Sequence, residues 1–348
     1  MIIYNYKTAV ANMLRWININ LLSSFDCNLN CSYCVHKSEN QFNKNKFSGQ
    51  RLSVVHLIRL KDLIERFKHP DIECNIQING GEPTLDWKYF YDYVSILSTI
   101  KGCRLELITN LSGDYSEEQF RFLIDVFDSI GVSIDGKRET HDASRGPGSF
   151  DKTMDNFAYL HALAPNKVTI NSTVTEANVD KMFENIKFFK FLRINHTHNI
   201  DFFTPKKDAA QFIEKYISQL VVAASEFGPS VIPIPTNPGG WYCMDRTLAI
   251  TVYPNGQVLH CNSEYDSNKV MFDLNTPNYF TLNETAFNNI PTNHCVWPEH
   301  CPSCEAYKFC KNGCYAAIKE NKDVFCSIMI GIAKLKEKMN EGDNNGNR

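Results

Sequence analysis

The chain has 348 residues, room for one large domain and a smaller one. A net charge of −3, a 43% hydrophobic share and 22% charged residues read as a soluble globular protein and speak against nucleic acid or anionic membrane as partner. No apolar run reaches membrane-spanning length and Met1–Lys7 lacks the order of a signal peptide, so the expected compartment is the cytoplasm.

Leu14 to Leu21 reads as a mostly apolar strand that leads into Phe25-Asp26-Cys27-Asn28-Leu29-Asn30-Cys31-Ser32-Tyr33-Cys34. Cys27, Cys31 and Cys34 stand as C-x3-C-x2-C with no fourth cysteine nearby. Three thiolates suit a [4Fe-4S] cube with one iron left open for a ligand. A structural zinc is the competing reading; it needs four ligands, and His36 would be the fourth. Ser53 to His69 has helical spacing with a broad apolar face. Cys74 to Asn79 is the second strand, and Gly80-Gly81-Glu82-Pro83-Thr84 follows it directly. The glycines let backbone approach a ligand, and carbonyls with Glu82 offer acceptors to an ammonium.

The alternation continues with helix Trp87 to Ile100, strand Arg104 to Thr109 and a helix opened by the capping box Ser116-x-x-Gln119. Strand Ser129 to Ile134 precedes an Asp135-Gly136 turn. Helix Asp151 to Leu163, strand Val168 to Val174, helix Val179 to Phe191 and strand Ile194 to Phe203 complete six βα repeats. Such a series favours a parallel sheet with helices outside, and periodicity alone leaves open whether it is doubly wound or a barrel. Cys74 and Cys103 read as buried apolar residues without a redox role, and Phe120, Phe122 and Phe127 as core.

Beyond one helix at Ala210 to Phe227, the Pro-rich stretch from Pro229 to Gly240 reads as irregular chain. Eight of the 13 cysteines then fall between 243 and 326. An odd number in clustered pairs does not describe a secreted disulfide framework; it reads as metal or iron–sulfur ligation in a reducing compartment. Cys243-x12-Gly256-x4-Cys261 is followed by Cys301-x2-Cys304-x5-Cys310-x3-Cys314 and by Cys326, with Cys295 extra. A zinc ribbon is the competing reading of this field. Residues 342–348 read as a disordered tail.

The cysteine triplet with its aromatic Tyr33, and the GGEP segment some fifty residues later, resemble the radical S-adenosylmethionine (SAM, AdoMet) enzymes. The later cysteines are similar to the SPASM extension of peptide- and protein-modifying members. The resemblance implies an α/β fold: a partial (β/α)6 barrel over residues 1–205, a connecting region 206–242, a small cysteine-rich auxiliary domain 243–340 and a tail 341–348. It implies three [4Fe-4S] clusters: a SAM cluster on Cys27, Cys31 and Cys34, an outer auxiliary cluster on Cys301, Cys304, Cys310 and Cys326, and an inner one on Cys243, Cys261 and Cys314. Cys295 is either the fourth inner ligand or a bystander thiol, or the inner cluster is open to substrate. Implied SAM contacts are Gly80, Gly81, Glu82 and Pro83 for the ammonium, Ser133 and Arg145 for the carboxylate, Tyr33 near the adenine and Asn110 lining the cavity.

The expected activity is reductive SAM cleavage to a 5′-deoxyadenosyl radical that abstracts hydrogen from a peptide or protein, giving a crosslink, a dehydrogenation or a similar change. The implied partners are that substrate and a reductant such as flavodoxin or ferredoxin. The 26 residues before Cys27 are too few for a leader-binding domain, so leader recognition would fall to a separate protein or another surface. Anaerobic sulfatase maturases carry an aspartate directly after the cysteine of the G-x4-C segment, and here that residue is Asn262, which cannot take up a proton as a carboxylate does. Glu264 or Asp266 would have to substitute. Sulfatase maturation is therefore second to peptide modification, and radical dehydrogenation of a small molecule is the third reading.

Overall fold

A computed structural model describes residues 16–36, 47, 49–68, 72–233, 247–261, 265–288, 301–310 and 315–345. Its centre is one nine-stranded sheet in the order β6-β5-β4-β3-β2-β1-β7-β8-β9. The first six strands are β1 (Trp16–Leu22), β2 (Glu73–Asn79), β3 (Cys103–Thr109), β4 (Ser129–Ser133), β5 (Val168–Val174) and β6 (His196–Ile200). Each pairs in parallel with the next in sequence. The order never reverses, so successive right-handed crossovers stack their helices on one face and the sheet curls as a partial barrel. That absence of a switch point decides between the two architectures that periodicity left open.

The first crossovers are α1 (Val54–Phe67), α2 (Trp87–Leu97) and α3 (Glu117–Val126). Further helices are α4 (Arg138–Arg145), α5 (Ser149–Leu163), α6 (Met182–Phe191) and α7 (Ala209–Phe227). Ser116 and Gln119 form the expected capping box. Helix α4 has no counterpart in the sequence reading: its eight residues are strongly polar and carry no apolar stripe to announce it. Residues 179–181, expected as the start of α6, form a tighter 3₁₀ turn instead.

Strand alternation sorts the sheet into two faces. Ile19, Leu21, Ile76, Ile78, Leu107, Val132 and Ile170 face the helices and are buried in the main core. Burying each such side chain contributes about 1.5–3 kcal/mol. The intervening positions, among them Asn20, Gln77, Asn79, Ser133, Asn171 and Thr173, give the other face amides and hydroxyls.

Strand β7 (Thr247–Val252) pairs in parallel with β1, and β8 (Gln257–Leu259) and β9 (Phe272–Asp273) follow antiparallel. Part of the stretch expected as a separate auxiliary domain thus extends the barrel sheet itself. The short helices α8 (Glu284–Asn288) and α9 (Tyr307–Cys310) precede α10 (Tyr315–Asn345), which breaks at Asn321, where φ is −153° and ψ 66°. Phe325, Ile328 and Ile332 of α10 share a second core with Phe212, Tyr216 and Leu220 of α7. Residues 342–345, expected as disordered tail, are helical, because a helix seeded by that packing gains one backbone bond per added residue.

Candidate active site

The site lies beyond the C-terminal ends of β1–β6, where a cavity of about 640 Å³ opens. Cys27, Cys31, Cys34, Tyr33, Gly80, Gly81, Glu82, Asn110, Ser133 and Arg145 all line it. Pro83 is buried behind Glu82 and does not line it.

Cysteine loop 23–36 leaves β1 and is tied down on both sides. Gly81 N–H donates to Ser24 O at 2.9 Å and Glu82 N–H to Asp26 O at 2.8 Å. A Cβ on Gly81 would collide with the Asp26 carbonyl, and one on Gly80 would stand 2.5 Å from Ser24 O. Gly80 also has φ +132°, a conformation natural only to glycine. Read from sequence, these glycines admit a ligand; in the fold they also admit the stem of the cysteine loop. On the far side, Asn110 Nδ2 donates to Asn28 Oδ1 at 2.9 Å, and Ser32 N–H donates to Ser144 O at 2.9 Å.

Glu82 is buried, and its carboxylate gathers the ends of β2 and β3. Oε1 accepts from Thr84 N–H at 3.1 Å and from the Thr84 and Thr109 hydroxyls at 2.7 Å each. Oε2 accepts from Asn110 N–H at 2.7 Å. Burial pushes the Glu82 carboxyl above its ordinary range, opposed by the bonds from Thr109 and Thr84. With several lone pairs on two oxygens, Oε2 keeps capacity for a further donor.

Arg145 and Asp135 form a buried bidentate pair at 2.9 and 3.0 Å. Burial is the largest influence on the guanidinium and works against its charge; Asp135, with smaller contributions from Tyr33 and Cys31, overcomes it and keeps the group protonated. Tyr33 O–H donates to Asp135 Oδ2 at 2.6 Å. Burial, before any neighbouring charge, holds that phenol neutral. Asp201 and Lys206, 3.1 Å apart and nearly inaccessible, form a second neutralised pair at the β6 end of the cavity. Neither pair was legible in the sequence: Asp135 read as a turn residue, and only the folded sheet brings it to Tyr33, 102 positions away.

Burial pushes the Cys27 thiol up to about 11. Leu29 N–H donates to its sulfur at 3.4 Å, which favours the thiolate, and a metal centre would complete the deprotonation. Among the described residues, no three His, Cys, Asp or Glu donors converge as a single metal ion requires. The three cysteines instead stand around one cavity large enough for a multi-iron cube with an open corner. His36 lines the same cavity and stacks on Phe25 at 4.6 Å, and burial lowers its imidazole to about 4.

In the C-terminal field, Cys301 and Cys304 share a turn, Cys304 N–H donating to Cys301 O at 3.1 Å. Burial raises the Cys326 thiol first, and the nearby Cys301 and Cys304 raise it further, so α10 brings Cys326 to that turn. Cys310 ends α9 and packs with Cys304 and Cys326 against the second core. Cys261 follows β8, and its carbonyl accepts from Tyr253 O–H at 2.8 Å. Cys243, Cys295, Cys314, Asn262 and Glu264 lie outside the described residues. Asp266 caps the turn after it by accepting from Asn268 N–H at 2.9 Å. Cys74 and Cys103, expected as unreactive core, are joined as a disulfide between β2 and β3. They are register partners with Cα atoms 4.5 Å apart, a juxtaposition that periodicity cannot foresee across 29 residues.

Residues 21–189 match the model of the radical SAM superfamily. A cysteine-type anaerobic sulfatase-maturating enzyme of Clostridium novyi (strain NT) is 23% identical over 331 residues, 84% of this chain and 86% of that protein. Native anSMEcpe with bound AdoMet has the same fold at TM-score 0.71 and 18% identity, over 94% of this chain and 99% of that one. Streptococcus suis SuiB bound to precursor peptide SuiA matches at TM-score 0.62 and 16% identity, over 91% of this chain and 76% of that one. No described helix is long and apolar enough to cross a membrane. The match falls on the segment that carries the cysteine triplet and the GGEP run to one cavity, and residues 21–189 are a radical SAM domain.

Proposed function

We propose that this chain is a SPASM-type radical SAM maturase that modifies a peptide or protein at a C–H bond. The observation that carries this is the meeting of Cys27, Cys31, Cys34, Gly80–Glu82, Ser133 and Arg145 around one cavity at the strand ends. In this reading the three cysteines hold a [4Fe-4S] cluster, which when bound supplies the electron for reductive SAM cleavage to a 5′-deoxyadenosyl radical. The chain's residues do the rest. Glu82 and the Gly80–Gly81 backbone receive an ammonium. Ser133 and Arg145 receive a carboxylate, Tyr33 borders the adenine, and Asn110 locks the cysteine loop to β3.

The concave face favours a peptide as substrate. Gln77, Asn79, Asn171, Thr173, Thr197 and Asn199 line the cavity with amides and hydroxyls that suit an extended backbone. The buried cations there, Arg145 and Lys206, are already paired with Asp135 and Asp201, so a neutral polar chain strands neither of them. In the same reading Cys301, Cys304, Cys310 and Cys326 hold an outer auxiliary cluster. Cys243, Cys261 and Cys314, with Cys295 as candidate fourth ligand, hold an inner one. The reductant is of the flavodoxin or ferredoxin class, and a separate leader-binding protein is a candidate partner.

Sulfatase maturation is the second reading, favoured by the long match to the Clostridium novyi enzyme. Asn262 argues against it, since an amide does not replace a carboxylate base. The two separate in one experiment: anaerobically reconstituted protein, SAM, reductant and sulfatase-derived peptides with a central Cys or Ser. Those peptides are expected to emerge unchanged. Formylglycine at that residue would establish the second reading and assign the base to another carboxylate.

A further inference from the structure

Asp135 stands two residues past β4, and its side chain has no solvent exposure. Four hydrogen bonds reach its carboxylate from three different elements. Oδ2 accepts from Tyr33 O–H at 2.6 Å and from Arg145 Nε at 2.9 Å. Oδ1 accepts from Arg145 Nη2 at 3.0 Å and from Thr173 N–H at 2.9 Å. A carboxylate offers about four lone-pair positions, so Asp135 has none left for a ligand and acts only through its partners.

Those partners define the cavity wall. Tyr33 lies between Cys31 and Cys34, Arg145 ends α4, and Thr173 belongs to β5. All three line the cavity. The Arg145 fork commits one edge, Nε and Nη2, to Asp135, which leaves Nη1 for another acceptor. The guanidinium carbon stands 5.6 Å from the Tyr33 ring centre, so the same carboxylate fixes both the ring and the cation above it. The bond from Ser32 N–H to Ser144 O runs beside this contact and makes the join two-stranded.

We propose that Asp135 is a positioning residue that couples the cysteine loop to the anion-binding arginine, holding Tyr33 and aiming Arg145 at the cavity as one unit. This rests on the reading above, in which the loop holds the SAM cluster and Arg145 meets the SAM carboxylate. Removing the negative charge would leave the buried guanidinium uncompensated and free to turn. Tyr33→Phe would remove the loop's side-chain tie to Asp135 while leaving the ion pair intact.

The test uses full-length, anaerobically reconstituted protein. Affinity is measured for SAM and for 5′-methylthioadenosine, which lacks the carboxylate, and the SAM-free reduced protein is examined by electron paramagnetic resonance. Asp135→Asn is expected to weaken SAM about tenfold or more, the scale of one charge-assisted hydrogen bond. Methylthioadenosine binding should stay within about twofold, since its loss would report general damage rather than a misaimed cation. Tyr33→Phe should shift the SAM-free signal of the first cluster and weaken SAM by a smaller factor.

Arg145→Lys separates the two levels of the argument. If Arg145→Lys binds SAM as the wild type does, the carboxylate reading of Arg145 fails. If Arg145→Lys loses SAM while Asp135→Asn keeps it, the reading stands and the positioning role is overturned. Should Asp135→Asn not fold, Tyr33→Phe decides: an unchanged SAM-free signal with unchanged SAM affinity would overturn the coupling.

Discussion

Gly81 shows how a motif can be legible while its reason is not. The run Gly80-Gly81-Glu82-Pro83 stands out after a strand, and the sequence assigns its glycines to ligand approach. In the fold, Gly81 packs against the Asp26 carbonyl and Glu82 ties Thr109 and Asn110, so the segment also builds the cysteine loop's seat. Gly81→Ala is expected to destabilise the protein by about 1–3 kcal/mol, the usual cost of an overpacked site. It should also lower iron bound at the first cluster, because the loop must retreat. Thermal unfolding and iron analysis check this, and wild-type values for both would mean that the loop moves aside at no cost. The cysteines themselves were readable because ligand spacing is local. Asp135 was not, because its partners Tyr33 and Thr173 lie 102 and 38 positions away.

At the scale of elements, β6 carries a consequence in pH. His196 and His198 point away from the polar cavity face, His196 bonding Ser172 Oγ at 2.7 Å and His198 meeting Tyr216 O–H at 3.1 Å. Burial lowers them to about 3 and about 4 respectively. Unfolded, each titrates near 6.5, so below that pH the unfolded chain binds protons that the fold refuses. Their stabilising contribution is therefore present above pH 6.5 and is lost as pH falls toward 4. Between pH 7 and 5 the loss is about 2 kcal/mol per histidine. His198→Gln, which keeps a polar partner for Tyr216, should show a shallower fall in unfolding free energy over that interval. Equal slopes for variant and wild type would remove His198 as a source. The strands and helices of the βα series were legible because apolar periods of 2 and 3.6 mark them. Helix α4 was not, having no apolar stripe, nor was the Cys74–Cys103 pairing, which depends on the register of β2 against β3.

Across the whole molecule, the run of parallel strands from β1 to β6 puts their crossover helices on one side and leaves the polar face open. That geometry gathers residues from six strand ends into one cavity and explains why motifs far apart in sequence act together. Strand β7 joins the second cysteine field to β1, the strand that launches the first cysteine loop. If all three clusters form, anaerobic reconstitution should yield about twelve irons per chain. If Cys295 is the fourth inner ligand, Cys295→Ala should leave SAM cleavage intact while altering one auxiliary-cluster spectrum and lowering product formation, and an unchanged spectrum would make it a bystander thiol. Stable zinc with about four irons in total would identify the C-terminal field as a ribbon instead. The first cluster is the decisive element, and the most direct measurement is 5′-deoxyadenosine formation from SAM by reduced, reconstituted protein. The wild type should produce it, and the joint Cys27→Ala, Cys31→Ala and Cys34→Ala variant should produce none while losing about four irons. Undiminished SAM cleavage by that triple variant would contradict the account.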